Sequence, residues 1–216
     1  IIIGLAIFFL PLLFSPPRPT GGEFNDPRRL LGAMVFGLGQ MGLVLFLILR
    51  GSGRDPAVFG LGRISFRGTA TGFLAFLPML PLAFLVLYAA ARAFPGEPPA
   101  GADTVRWTYT NYSTLPLTAA VCLVTGYREE LFFRSFLPAG FGALGAGPGA
   151  AALGANLLFA LGHLYQGGKA FLVAFFLGIY LAELFRRKGD LHANALAHGL
   201  YNLAALLAGG LFGGAP

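Results

Sequence analysis

Four polar side chains of this sequence could together hydrolyse an acyl bond: Glu129, His163, His198 and Asn202. A carboxylate can take a proton from water, imidazoles can hold or polarise that water, and an amide can donate a hydrogen bond to an oxyanion. All four lie in apolar stretches, where an ionisable side chain costs at least about 2.5–3.5 kcal/mol and usually faces the protein interior. We therefore expect them to meet in one buried site.

Two mechanisms fit this set of residues, and the spacing leaves both open. In the first, Glu129 takes the proton of a water molecule held by His163, while His198 and Asn202 stabilise the oxyanion without any cofactor. In the second, Glu129, His163 and His198 bind Zn²⁺, which activates the water. The sequence contains no HExxH motif.

Helical spacing separates the two adjacent glutamates. Glu130 and Arg134 are four residues apart, so they share a helix face and are predicted to form a structural ion pair. Glu129 lies about 100° round the helix and has no cation four residues away. It is therefore predicted to be the general base, with Glu130 and Arg134 fixing its orientation.

The other polar residues of the same segments have structural interpretations. His192 follows Asp190 at the start of the last segment, so we expect it at a helix start. From there it could support the catalytic residues without touching the substrate. Asn194 is predicted to form hydrogen bonds between helices. Arg128 and Glu183 are interpreted as residues at the membrane interface.

The composition indicates how these residues are positioned. Of the 216 residues 56% are hydrophobic and 11% are charged, whereas soluble domains carry about 25% charged residues. The sequence predicts an all-α, polytopic membrane helix bundle with a kink at Pro78 and Pro81. About seven transmembrane segments are expected, at 1–14, 30–49, 69–94, 115–137, 149–164, 170–185 and 191–212.

The net charge of +6 comes from cations between apolar segments, which is typical of cytoplasmic loops and contacts with lipid headgroups. No basic stripe with interleaved aromatic residues is present, so nucleic acid is not an expected partner. The single cysteine, Cys122, excludes a disulfide framework within the chain and any CxxC metal site.

Three short motifs occur in order on these apolar segments. They are EExxxR at Glu129, Glu130 and Arg134, FxxxH at Phe159 and His163, and HxxxN at His198 and Asn202. Together they resemble the CPBP family of intramembrane proteases, also called the CAAX amino-terminal protease or Abi family, which is related to the type II CAAX prenyl endopeptidases. The resemblance covers about residues 115–212, which are predicted to form a catalytic core after N-terminal transmembrane helices and loops at 1–114.

The resemblance implies an intramembrane endopeptidase in a bacterial plasma membrane, acting on a peptide or protein substrate in or near the lipid bilayer. Glu129 would work with His163, and His198 with Asn202. The family has been described both as metalloproteases and as glutamate-dependent peptidases. The additional His192 departs from the family pattern. Buried glutamate and histidine also suit a transporter or proton relay, and a bacteriocin-immunity protein without activity is a further alternative.

Overall fold

Helices joined by short loops make up the residues that the computed structural model describes, which are 1–14, 25–95 and 111–212, and these residues contain no strand. This confirms the predicted all-α class. In chain order the α-helices are α1 Ile2–Phe14, α2 Pro27–Gly51, α3 Phe66–Phe76, α4 Met79–Ala93, α5 Leu115–Glu130, α6 Leu137–Ala143, α7 Pro148–Leu161, α8 Gly168–Lys188 and α9 Leu191–Phe212. A π-helical segment, Leu131–Phe136, joins α5 to α6.

Every apolar stretch predicted to cross a membrane is helical, but the count of seven crossings is not confirmed. Within the described residues three helical stretches are long and apolar enough to span, namely Pro27–Gly51, Phe66–Ala93 and Gly168–Lys188. A span needs roughly 17–25 residues, whereas α1 has 13 and α7 has 14. The last helix, α9, is long enough, but it carries the polar residues of the predicted site.

The predicted kink lies at Pro78. Helix α3 ends at Phe76, and α4 begins at Met79 with Pro78 directly before it. Proline has no backbone N–H and clashes with the preceding turn, so the helix breaks here, while Pro81 is tolerated in the first turn of α4. The Tyr180 hydroxyl donates a hydrogen bond of 2.9 Å to the carbonyl of Ala75 beside the break, which ties α8 to α3.

Glycines bring α5 and α9 into backbone contact. A Cβ atom at Gly126 would lie 2.7 Å from the carbonyl oxygen of Ala195, and one at Gly199 would lie 2.9 Å from the Cα atom of Leu123. Small residues permit this approach between membrane helices. The crossing sets the end of α5, which carries Glu129, against the turn of α9 that contains His198.

An aromatic cluster supports this crossing from the other side. Phe132 and Phe133 in the π-helical segment are buried, and the Phe132 ring stacks on Phe8 of α1 with centroids 4.5 Å apart. Phe133 also contacts the ring of Phe159 in α7, at 5.2 Å. Rings from α1, the π-helical segment and α7 thus form one core, which holds these elements beside the end of α5.

We expect Gly126→Ala to destabilise the protein by about 1–3 kcal/mol, because the added methyl group meets backbone atoms of α9 that cannot rotate away. The measurement is the thermal unfolding midpoint in detergent. Gly39→Ala is the matched control, since a Cβ atom there meets nothing within 4 Å. Equal midpoints for the two variants would contradict a tight crossing of α5 and α9.

Candidate functional site

Glu129 lies in the last turn of α5 with its side chain 10% exposed. Its Oε1 accepts a hydrogen bond of 2.6 Å from Arg128, and its Oε2 lies 3.6 Å from Nε2 of His198. Glu129 has no cation four residues away, as its spacing indicates, but it pairs with the adjacent Arg128. The long side chain of Arg128 bends back onto its own neighbour, so this contact does not follow the four-residue spacing of a helix.

Glu130 is fully buried and contacts two helices. Its Oε1 accepts a hydrogen bond of 2.8 Å from Nδ1 of His198, and its Oε2 accepts one of 3.1 Å from the Asn194 amide. Nε of Arg134 lies 3.4 Å from the same Oε2, and the guanidinium is centred 4.5 Å from the ring of Phe159. Glu130 thus joins α5 to α9 as well as pairing with Arg134 on its own chain segment.

His198 is held in one orientation by Glu130. A carboxylate only accepts hydrogen bonds, so Nδ1 of His198 must carry the hydrogen of that 2.8 Å contact. In the neutral imidazole, Nε2 then carries a lone pair, and this is the atom that faces Glu129. The pair resembles the carboxylate–histidine arrangement that fixes tautomer and ring orientation in hydrolases.

His163 follows α7, and the same reasoning applies to its imidazole. Nδ1 lies 2.9 Å from the carbonyl oxygen of Phe159, which only accepts, so Nδ1 carries the hydrogen. The neutral ring therefore has its lone pair on Nε2. The Phe159 ring contacts both imidazoles, with centroid distances of 4.7 Å to His163 and 5.8 Å to His198.

Glu129 and His163 line one cavity of about 110 Å³. This volume suits a few water molecules, since one occupies about 30 Å³ in the liquid. Polar atoms are contributed by Gln40, Arg128, Glu129, His163 and Tyr165, and the apolar walls are mostly phenylalanines of α1, α2, α7 and the π-helical segment. The cavity therefore combines a carboxylate and an imidazole with space for water.

Asn202 and His192 do not line this cavity. Asn202 is partly buried one turn beyond His198, and its amide forms no hydrogen bond with another residue in the part of the chain that the structure describes. His192 lies at the start of α9, where Nε2 is 2.9 Å from the carbonyl of Gly62 and Nδ1 is 3.3 Å from the Tyr127 hydroxyl. His192 thus links a loop to α5 and does not contact the two glutamates.

Asn194 forms the predicted hydrogen bonds between helices, whereas the position of Glu183 at the membrane interface stays a prediction. The Asn194 amide donates to Glu130 and, over 2.8 Å, to the carbonyl of Leu181, so it joins α9 to both α5 and α8. Glu183 is partly exposed near the end of α8 and pairs with Arg186 and Arg187. Neither side chain lines the cavity.

The predicted zinc ligands have suitable chemistry but unsuitable positions. Two Nε2 lone pairs and a carboxylate form a donor set that Zn²⁺ accepts. Over the described ranges, however, no three His, Cys, Asp or Glu side chains lie close enough together to hold a metal ion. Glu129, His163 and His198 therefore do not form a metal site as they are placed, and Glu129 is already paired with Arg128.

Two residues of the site were missed by the sequence interpretation. Arg128 was interpreted as an interface residue, yet it contacts Glu129 and donates a hydrogen bond of 3.2 Å to the side-chain oxygen of Gln40. Gln40 is 5% exposed. It is the one polar residue of the sequence between Arg29 and Arg50, and a buried amide in so apolar a helix was the signal that could have identified it.

The buried ion pair predicts an asymmetric response to substitution. Glu130→Gln leaves the Arg134 guanidinium, 1% exposed, without its charge partner, and we expect a loss of about 3–5 kcal/mol in unfolding free energy. The double variant Glu130→Gln/Arg134→Met should recover much of that loss, because no buried cation remains. Denaturant unfolding in detergent measures both. A double variant less stable than Glu130→Gln would contradict the assignment.

Comparison with known protein families agrees with the motifs. Residues 111–204 match the family model of the type II CAAX prenyl endopeptidase Rce1-like proteins. The matched range includes every residue of the EExxxR, FxxxH and HxxxN motifs. No curated protein and no solved structure matches the chain. Residues 111–204 are thus similar to the Rce1-like type II CAAX prenyl endopeptidases, which is consistent with the CPBP resemblance that the three motifs indicated.

Proposed function

We propose that this integral membrane protein is an intramembrane endopeptidase in which Glu129 activates the attacking water. The family is one of CAAX proteases, so the expected substrate is a protein or peptide at the membrane. The observation that carries the proposal is the position of Glu129: one carboxylate oxygen faces Nε2 of His198 at 3.6 Å, and the side chain lines the same cavity as His163.

In the proposed first step, Glu129 takes a proton from a water molecule in the cavity while the water oxygen attacks the scissile carbonyl carbon. A C–O bond forms, and the carbonyl π electrons move to its oxygen. The Nε2 lone pair of His163 accepts a hydrogen bond from the same water and so orients it. When the C–N bond breaks, Glu129 returns the proton to the leaving amine.

The imidazole tautomers narrow the choice of oxyanion donor. When the imidazole of His198 is neutral, its hydrogen lies on Nδ1, toward Glu130, and its Nε2 accepts hydrogen bonds but does not donate them. The amide of Asn202 has hydrogens that no described residue accepts, and it lies one helical turn from His198. We therefore assign the stabilisation of the oxyanion to Asn202. In this scheme His198 helps to position Glu129 and the water.

A proton relay is the alternative that the same geometry allows. Glu129, His198 and Glu130 form a carboxylate–imidazole–carboxylate series with contacts of 3.6 and 2.8 Å. Buried groups of this kind also carry protons in transporters. Proton flux into proteoliposomes that is lost in Glu129→Gln, together with no peptide cleavage, would favour a relay over a peptidase.

We expect Glu129→Gln and His163→Ala each to lower peptide cleavage by about 10²–10⁴-fold, the usual contribution of a general base or its partner. The probe is a farnesylated peptide ending in a CAAX sequence, assayed in detergent by mass spectrometry beside the same peptide without lipid. Glu183→Gln is the matched control, since Glu183 pairs only with surface arginines. Full activity of Glu129→Gln on a peptide that the unmodified protein cleaves would refute the proposal.

Asn202→Ala tests the oxyanion assignment separately. Loss of a donor that acts only in the transition state lowers kcat and leaves KM nearly unchanged. Removal of one such donor typically costs about 10²–10³-fold in kcat. Steady-state kinetics with the same farnesylated peptide distinguish the two parameters. A higher KM at constant kcat would instead assign Asn202 to substrate binding.

A further inference from the structure

Arg128 holds an unusual position beside Glu129. Adjacent residues on a helix point about 100° apart and do not normally face each other. Nevertheless, the Arg128 guanidinium donates a 2.6 Å hydrogen bond to Oε1 of Glu129. The Arg128 side chain is 19% exposed and that of Glu129 is 10% exposed, so the pair is largely shielded from water. A contact of this kind needs other groups to hold the arginine back against its own helix.

Two helices of the N-terminal half provide those groups. Gln40 of α2 accepts a 3.2 Å hydrogen bond from the second terminal nitrogen of Arg128, and Gln40 itself is buried. On the other side, the guanidinium lies over the ring of Phe8 in α1, 5.2 Å from the centroid. An aromatic face attracts a guanidinium at this distance. Phe8 is in turn fixed by its stack on Phe132.

The consequence is that only one oxygen of Glu129 remains available. Arg128 occupies Oε1, while Oε2 faces Nε2 of His198. Without Arg128, the carboxylate could rotate about its last side-chain bond and present either oxygen in several directions. A general base must be held close to one orientation, because a displacement of about 1 Å can cost on the order of 10²-fold in rate.

We propose that Arg128 is a positioning residue for Glu129, and that Gln40 and Phe8 hold Arg128 in place. This inference rests on the proposed function. It assigns a task to α1 and α2, which lie outside the matched residues 111–204. Gln40 also lines the cavity, and the inference predicts that its effect on the reaction is transmitted through Arg128.

The test is a double-mutant cycle on kcat with the farnesylated CAAX peptide. We expect Arg128→Gln to lower kcat by about 10–100-fold, with KM within about twofold of the starting value, because the base is misplaced but the binding surface remains. Arg128→Lys should recover part of this loss, since it keeps the charge but makes only one contact. Gln40→Met should lower kcat by about 3–10-fold.

The decisive result is the double variant Gln40→Met/Arg128→Gln. If Gln40 acts through Arg128, the double variant has the kcat of Arg128→Gln alone, because coupled residues are not additive. If the two losses multiply, Gln40 has a separate packing role and the inference fails. The inference also fails if Arg128→Gln keeps the original kcat, or raises it, which would make Arg128 inhibitory. Should Arg128→Gln not fold, the same cycle is measured with Arg128→Lys.

Arg92→Gln is the matched control, because Arg92 is exposed in the last turn of α4 and its loss changes net charge equally. We expect its kcat to be unchanged. Size-exclusion elution and thermal unfolding in detergent check the fold of each variant. Glu129→Gln is assayed in parallel: if it remains active, the proposed function fails, whereas loss of activity there with an additive cycle rejects only the role of Arg128.

Discussion

Burial of the Glu130 carboxylate is the constraint on which the rest of the site depends. A charge removed from water is tolerated only when hydrogen bonds and opposite charge surround it. Glu130 meets this demand with Arg134 from its own segment and with Asn194 and His198 from α9. Because two of these partners lie on another helix, satisfying the carboxylate also fixes where α9 lies and which nitrogen of His198 faces Glu129.

The backbone permits this arrangement because α5 and α9 cross at glycines. Gly126 and Gly199 let the two main chains touch, so side chains as short as asparagine and glutamate can meet across the interface. Directly after the crossing the chain adopts the π-helical segment Leu131–Phe136, a geometry that often occurs near functional sites. The close packing at these glycines thus brings α5 and α9 together, and the polar contacts of Glu130 fix the register of the two helices.

The N-terminal helices contribute more than a lipid-facing surface. Phe8 and Phe9 of α1 and Phe36 and Gln40 of α2 line the cavity that contains Glu129. Much of the outer face of α2 remains apolar and exposed, as suits contact with lipid, while Gln40 points inward to Arg128. The division into 1–114 and 115–212 stays a prediction, yet the cavity takes walls from both sides of it.

The sequence alone determined the all-helical class, the break at Pro78 and the family motifs, because apolar segment length, proline chemistry and residue spacing are local properties. It did not determine the number of membrane crossings, since short or polar helices have no decisive local signal. It also could not foresee that Arg128 pairs with Glu129, or that Gln40, 88 residues earlier, holds that arginine. Such contacts join helices far apart in the chain, so only the tertiary structure decided them.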